Sequence, residues 1–332
     1  MSTLKFGIIG CGKIADANHL PEILSLGKDA VITAMYDKVS GKAEALAEKH
    51  KLPKPRFCRS LGELLSCDID AVVIATPNSL HYPQTIRALN AGKHVLVEKP
   101  MASNMKEAEK MIALACEKGL VLQVNQSLRY HKIYAELARL VAKGKIGNPL
   151  HAKSVRCGIA SPDVGWSPGA TWFVQKKYKG SLVTDIAVHM ADVLFWSFGP
   201  VKGISAVTRA LDHEVPDNVD AILQFENGAT GSLTLSWTFP QSVSLFELYG
   251  DKGSLKIVPG GIEFLKKGEK EPQLIPAAEI KDLPNSHAAF LTAVKKGEKR
   301  AWLYGRNALA LCMGILESGK KQKMVTPDLY LP

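Results

Sequence analysis

Over the first 126 residues, short apolar runs alternate with stretches in which apolar positions recur at helical spacing. Leu4 to Ile9, Ala30 to Tyr36, Asp70 to Pro77, His94 to Val97 and Leu120 to Val124 read as buried strands. Between them, 40–50, 82–91 and the stretch after Asn104 read as helices. In the last, Met105, Ala108, Met111, Ile112 and Ala115 share one face, Asn104 and Glu107 form a capping box, and Gly119 ends the helix. Regular alternation of strand and helix predicts an α/β doubly wound parallel sheet with helices on both faces.

After residue 126 the pattern changes. His151 to Cys157, Ala221 to Phe225, Gly231 to Trp237, Ser242 to Tyr249 and Ser254 to Val258 read as strands. Turn signals such as Glu226-Asn227-Gly228 and Gly250-Asp251-Lys252-Gly253 separate several of them. Closely spaced hairpins predict a largely antiparallel sheet, and helices over 287–296 and 306–318 make this half α+β. The expected domains are 1–126 and 127–332.

The first apolar run ends in Gly10-Cys11-Gly12-Lys13-Ile14-Ala15, a Gly-x-Gly-x-x-Ala turn between strand and helix. The glycines permit a tight turn, Gly12 lets backbone approach a pyrophosphate, and Ala15 lets the helix pack near the strand. The helix N-terminus then offers N–H groups to the phosphates. Lys13 and Ile14 belong to this cofactor turn. Asp37, at the end of the second strand, stands where a Rossmann unit places the acid that accepts hydrogen bonds from the adenosine ribose. That acid repels a 2′-phosphate and points to NAD, while Lys38 and Lys42 leave NADP open. The loop Thr76-Pro77-Asn78-Ser79-Leu80-His81 follows the third run at the carboxyl end of its strand, where doubly wound sheets bind ligands.

The 332 residues, 46% hydrophobic and 22% charged, fit a globular protein of about two domains. Cys11, Cys58, Cys67, Cys116, Cys157 and Cys312 are scattered with no Cys-x-x-Cys pair, which favours reduced cytoplasmic thiols over a disulfide framework or a metal site. No apolar run approaches the roughly 20 residues of a membrane span, and the N-terminus lacks a basic-then-apolar signal. No membrane partner is expected. The net charge is +10, and 127–180 holds ten basic residues against Glu136 and Asp163. No nucleic-acid-binding motif accompanies this excess, which leaves a solvated face or an anionic substrate.

Two distant segments carry candidate chemistry. Glu98-Lys99-Pro100 closes the fourth strand and puts Lys99 on the ligand edge of the sheet, held extended by the following proline. The second segment, 185–196, is apolar as a helix except for Asp185, His189 and Asp192, which share one face at i, i+4 and i+7. A histidine near neutrality suits alcohol–ketone redox as proton donor and acceptor, oriented by Asp185. An ammonium suits polarisation of the carbonyl.

With the Gly10/Gly12/Ala15 turn, Ala75-Thr76-Pro77-Asn78 with His81, Glu98-Lys99-Pro100, Asn125 with Arg129, the Asp185-His189-Asp192 helix and Glu317-Ser318-Gly319-Lys320, the chain resembles the glucose–fructose oxidoreductase, inositol dehydrogenase and rhizopine-catabolism family. The resemblance runs over nearly the whole length. It implies a Rossmann domain followed by a domain with an open-faced sheet, bound NAD or NADP, and hydride transfer to or from a hydroxyl or keto carbon of a sugar, cyclitol or sugar derivative. It makes Lys99 and His189 the catalytic pair with Asp185 in support. Glu98 and the Thr76–His81 loop, with Asn125, border the nicotinamide half of the cofactor. Arg129, Tyr130, Trp166 and Trp172 are the further expected substrate contacts, and a homodimer or homotetramer paired through the sheet face is expected. Two other functions fit the same residues: an NAD-dependent glycosidase using transient oxidation, and a non-catalytic cofactor-bound sensor.

Overall fold

The computed structural model describes residues 3–331; residues 1, 2 and 332 of the expected domains lie outside the described residues. The chain divides into two compact units, Met1–Gln126 with Pro284–Gly305 and Ser127–Leu283 with Arg306–Pro332.

The first unit contains strands β1 (Leu4–Ile9), β2 (Ala30–Tyr36), β3 (Arg56–Phe57), β4 (Ala71–Ile74), β5 (His94–Glu98) and β6 (Leu122–Asn125). They form one sheet in the order β3-β2-β1-β4-β5-β6, with every neighbouring pair parallel. The order reverses between β1 and β4, so the carboxyl ends of these two strands open the crevice where such sheets bind ligands. Central strands covered on both faces must be apolar throughout, and all four residues of β4 are buried. The connecting helices are α1 (Leu20–Leu24), α2 (Lys42–Lys49), α3 (Leu61–Leu65), α4 (Asn78–Asn90) and α5 (Met105–Glu117). The expected cap of α5 is present, with Asn104 Oδ1 accepting from the Glu107 N–H at 3.0 Å. Helix α4 starts at Asn78 rather than at residue 82, with Pro83 inside it. Asn78 and His81 therefore lie on the first helical turn and not on a loop.

One assignment changes. The helix expected over 287–296 belongs to the first unit and not the second. Its Phe290, Leu291 and Ala293 join Leu4, Phe6, Ile8, Leu20 and Ile23 in one buried cluster, and the Phe290 ring centre is 6.0 Å from that of Phe6. An amphipathic helix covers whichever apolar face lacks a cover, and distance along the chain does not decide which.

The second unit opens with α6 (Lys132–Ala142) and β7 (Pro149–Cys157), then α7 (Val188–Phe198). Strands β8 (Val201–Arg209), β9 (Asn218–Phe225), β10 (Thr230–Ser236), β11 (Val243–Gly250), β12 (Gly253–Val258), β13 (Gly261–Lys266) and β14 (Gln273–Pro276) follow. The sheet order is β14-β13-β12-β11-β7-β10-β9-β8; β7 and β10 are parallel and the other pairs antiparallel. Leu137 and Leu140 of α6, with Ala191 and Leu194 of α7, pack on Leu223, Phe225, Leu233 and Leu235 of the sheet. After helix α8 (Ser286–Lys296) of the first unit, helix α9 (Leu303–Lys321) brings Ala308, Leu311 and Ile315 to the same core. Val207, Ile222 and Tyr249 leave apolar surface exposed on strands of this sheet.

Lys176–Phe198 meets the length and mean hydropathy of a membrane span, contrary to the expectation that no run does. Its apolar window is 78% buried inside the protein, as a core helix is.

Candidate active site

The turn after β1 is shaped by two glycines with different jobs. Gly10 has φ +92°, and a Cβ there would lie 2.5 Å from the Ala75 carbonyl oxygen. Glycine is thus required for β1 to pass close to the end of β4. At Gly12 a Cβ would meet nothing within 4 Å, so backbone faces open space where a pyrophosphate fits. The segment beyond it is helical from Lys13, with a wide π turn over Ala15–His19 that runs into α1. Lys13 is exposed and Ile14 half-buried. Asp37 is fixed against this turn: Oδ2 accepts from the Cys11 N–H at 2.7 Å and Oδ1 from the Val39 N–H at 2.8 Å. Each oxygen keeps a further lone pair for a ribose hydroxyl. Lys38 beside it is exposed. Burial, with the charge of Asp37, pushes the Cys11 thiol up to about 12, so no thiolate faces the phosphate position.

The carboxyl ends of β4, β5 and β6 form the second part of the site. Thr76 Oγ1 donates to Gln84 Oε1 at 2.6 Å, Pro77 caps α4, and Asn78 is buried at its first turn. His81 lies inside the structure: Nε2 is 2.8 Å from the Thr76 carbonyl and Nδ1 2.7 Å from the Pro100 carbonyl. It staples the β4–α4 connection to the segment after β5. Burial lowers its pKa despite the two carbonyls. Lys99 is half-buried and precedes a cis peptide bond to Pro100.

Glu98 is 6% exposed, and Asn125 Nδ2 donates to its Oε1 at 2.6 Å. Burial works to raise its pKa. His19, the Lys99 charge and the Asn125 hydrogen bond together outweigh burial and hold it at about 2. Asn125 Oδ1 is buried without a hydrogen-bond partner, an acceptor left over for a ligand donor. The open Gly12 turn, the oriented Asp37 and this spare acceptor fit a dinucleotide.

In the second unit, the segment expected as a plain helix begins with a π turn, Val183–Ala187, before α7. The wider turn shifts Asp185 relative to the i, i+4, i+7 face that simple α-helical spacing predicts. Asp185 is buried and His189 half-buried. Asp192 is engaged by Arg129 in a two-pronged pair, Nε to Oδ2 and Nη2 to Oδ1, both 2.8 Å. Burial raises the Asp192 pKa against the pull of Arg129. Arg129, expected at the substrate, is thus committed to the protein and also lies 4.9 Å over the Trp196 ring. Tyr130 is half-buried in a short 3₁₀ turn, Ser127–Tyr130. Trp172 stacks on Phe173 at 3.7 Å, and Trp166, 45% exposed, meets the edge of the same ring.

Family models for an NAD-binding Rossmann oxidoreductase domain and for the GFO/IDH/MocA C-terminal domain match residues 4–126 and 134–256. A 1,5-anhydro-D-fructose reductase from Ensifer adhaerens is 30% identical over 303 residues, 88% of each chain. The chain belongs to the GFO/IDH/MocA oxidoreductase family. A dTDP-3,4-didehydro-2,6-dideoxy-alpha-D-glucose 3-reductase from Streptomyces violaceoruber is 38% identical over 314 residues, covering 90% of this chain and 87% of the relative. The solved WlbA dehydrogenase from Bordetella pertussis, in complex with NADH and UDP-GlcNAcA, aligns at TM-score 0.85 and 26% identity over 99% of both chains.

As a GFO/IDH/MocA member, this chain is an NAD-dependent oxidoreductase with an NAD-binding first unit. Three polar residues behind the Glu98–Lys99 segment went unread in the sequence: His19, His287 and Glu22. His19 and His287 are 268 positions apart yet 3.0 Å from each other. A lone histidine in an apolar helix carries no local signal of such a partner.

Proposed function

We propose that this chain exchanges a hydride between the nicotinamide of NAD and a hydroxyl or keto carbon of a sugar, cyclitol or sugar derivative. NADP is the second cofactor to test, given Lys38 and Lys42. One observation carries the proposal. Lys99 directly follows β5 on the ligand edge of an NAD-binding sheet, in a chain related over about nine-tenths of its length to named sugar reductases. The cofactor supplies the hydride donor or acceptor. The ammonium of Lys99 polarises the carbonyl oxygen and stabilises negative charge developing there. His189 takes or returns the hydroxyl proton, supported by Asp185. Asn125 and Glu98 border the nicotinamide. The exposed ring of Trp166 and the neighbouring Trp172 and Tyr130 offer apolar faces for a sugar.

Lys99→Ala and His189→Ala are each expected to lower kcat by about 10²–10⁴-fold while NADH still binds, read by cofactor absorbance against a sugar and cyclitol panel. Near-wild-type rates in both variants overturn these roles. Absence of any hydride exchange favours the sensor, and release of an aglycone without net NADH formation favours the glycosidase.

Among sugar derivatives we favour an anionic one. Lys143, Lys145, Lys153, Lys176, Lys177 and Lys179 are all exposed in the basic stretch, and the relative from Streptomyces violaceoruber is named for a nucleotide sugar. Salt should then raise KM for the anionic substrate more than for a neutral analogue. The exposed Val207, Ile222 and Tyr249 support a homodimer or homotetramer, checked by light scattering. The six free cysteines support a cytoplasmic location.

A further inference from the structure

In the first unit, four titratable side chains form a line from the surface to the end of β5. Glu22 Oε2 is 2.8 Å from His287 Nδ1. His287 Nε2 is 3.0 Å from His19 Nδ1. His19 Nε2 is 3.0 Å from Glu98 Oε1, off the line of a straight hydrogen bond. Both rings are 0% exposed and meet edge to face, with centres 5.1 Å apart. Glu22 reaches solvent, with its side chain 25% exposed.

The surroundings contribute donors to the two ends. Ser286 Oγ donates to Glu22 Oε2 at 3.1 Å. Asn125 Nδ2 and the Lys99 backbone N–H donate to Glu98, at 2.6 and 3.2 Å. The Lys99 charge also acts on Glu98. Phe6 covers His287 from the core side.

Counting protons decides the charge of this line. Two of its contacts are hydrogen bonds and the third, His19 Nε2 to Glu98 Oε1, is a 3.0 Å ion-pair contact; each sets two basic atoms together and is repulsive unless one of them carries a proton. Two neutral imidazoles bring two protons. The third does not sit on a carboxyl group, because Glu98 accepts from Asn125 Nδ2 and the Lys99 N–H and Glu22 accepts from Ser286 Oγ, and the pKa of each is lowered. One ring is therefore an imidazolium. Burial lowers the His287 pKa and the Glu22 hydrogen bond opposes it only in part, so His287 does not hold the proton by itself.

We propose that His19 and His287 share one extra proton between Glu22 and Glu98, and that this buried pair is a positioning device for the catalytic segment. It keeps Glu98 ionised, and ionised Glu98 accepts from Asn125 and from the Lys99 N–H, which fixes the strand end that presents Lys99. This role rests on the function proposed above for Lys99; the proton count does not.

The test uses the full chain labelled with ¹⁵N-histidine. In the wild type, one histidine pair should show imidazolium character at about pH 7.5, where two unpartnered histidines would both be neutral. Glu22→Gln removes only the outer carboxylate and should lower the pH at which that proton is lost by about one unit or more. Two neutral rings at pH 7.5 in the wild type, or no shift in Glu22→Gln, overturns the shared proton. For the positioning role, His287→Gln keeps a donor but carries no proton. It should lower kcat about tenfold or more, leave the NADH Kd within about twofold, and displace the pH dependence of kcat. In Glu22→Gln that pH dependence should move in step with the NMR titration. A kcat profile that ignores the NMR shift overturns the positioning role. If Lys99→Ala proves fully active, the catalytic reading fails while the NMR result still decides the proton count.

Discussion

Gly10 and Gly12 sit two residues apart and answer to different forces. Gly10→Ala places a Cβ 2.5 Å from a backbone carbonyl at φ +92°, where neither partner can give way. The expected loss is about 2 kcal/mol or more, seen as a lower Tm with or without cofactor. Gly12→Ala enters open space, so the fold should keep its Tm while NADH affinity falls by about tenfold or more, measured by fluorescence titration. The motif alone does not separate these roles, because one glycine answers to the neighbouring strand and the other to a ligand. Glu98 has a signature in acid. Its pKa falls from 4.5 to about 2 on folding, so its contribution is complete above 4.5 and is lost as pH drops from there toward 2. The amount is on the order of 3 kcal/mol. Glu98→Gln should flatten the dependence of unfolding free energy on pH across that window, measured by denaturant melts.

At the scale of elements, α7 shows how one buried pair fixes a helix. Arg129 and Asp192 are joined by two 2.8 Å hydrogen bonds, with side chains 7% and 2% exposed. Removing one partner strands a buried charge, so Arg129→Ala should destabilise by about 3–5 kcal/mol, measured by chemical denaturation. Periodicity showed that this helix is apolar with a polar stripe, and it named Asp185, His189 and Asp192. It did not show the π turn over Val183–Ala187, because a one-residue change in helical repeat leaves no mark in hydrophobic spacing. Strands were legible where apolar runs were dense, as in β2, whose bounds match the run Ala30 to Tyr36. Short β3 and the edge strand β14 were not, since none of their residues is buried, and β13 was not because its buried Ile262 and Phe264 make too short an apolar run.

For the whole molecule, the returning segment 284–305 matters most. Phe290, Leu291 and Ala293 complete the core that Phe6, Ile8 and Leu20 begin, and Gln123 Nε2 donates to the Ser286 carbonyl at 3.0 Å. A fragment of residues 1–126 should therefore expose that core and aggregate or bind NADH poorly. The same fragment joined by a flexible linker to 284–305 should fold and bind, as judged by circular dichroism and NADH fluorescence. A stable, NADH-binding 1–126 fragment would refute this division. Sequence by itself determined the alternation of strand and helix over the first 126 residues, the glycine turn, Asp37 and the Glu98-Lys99-Pro100 segment, because these depend on neighbours a few residues away. Tertiary structure alone decided that α8 belongs to the nucleotide unit, that Arg129 is spent on Asp192, and that His19 meets His287. Burial rewards contacts by proximity in space, and nothing local in the chain encodes a partner hundreds of residues distant.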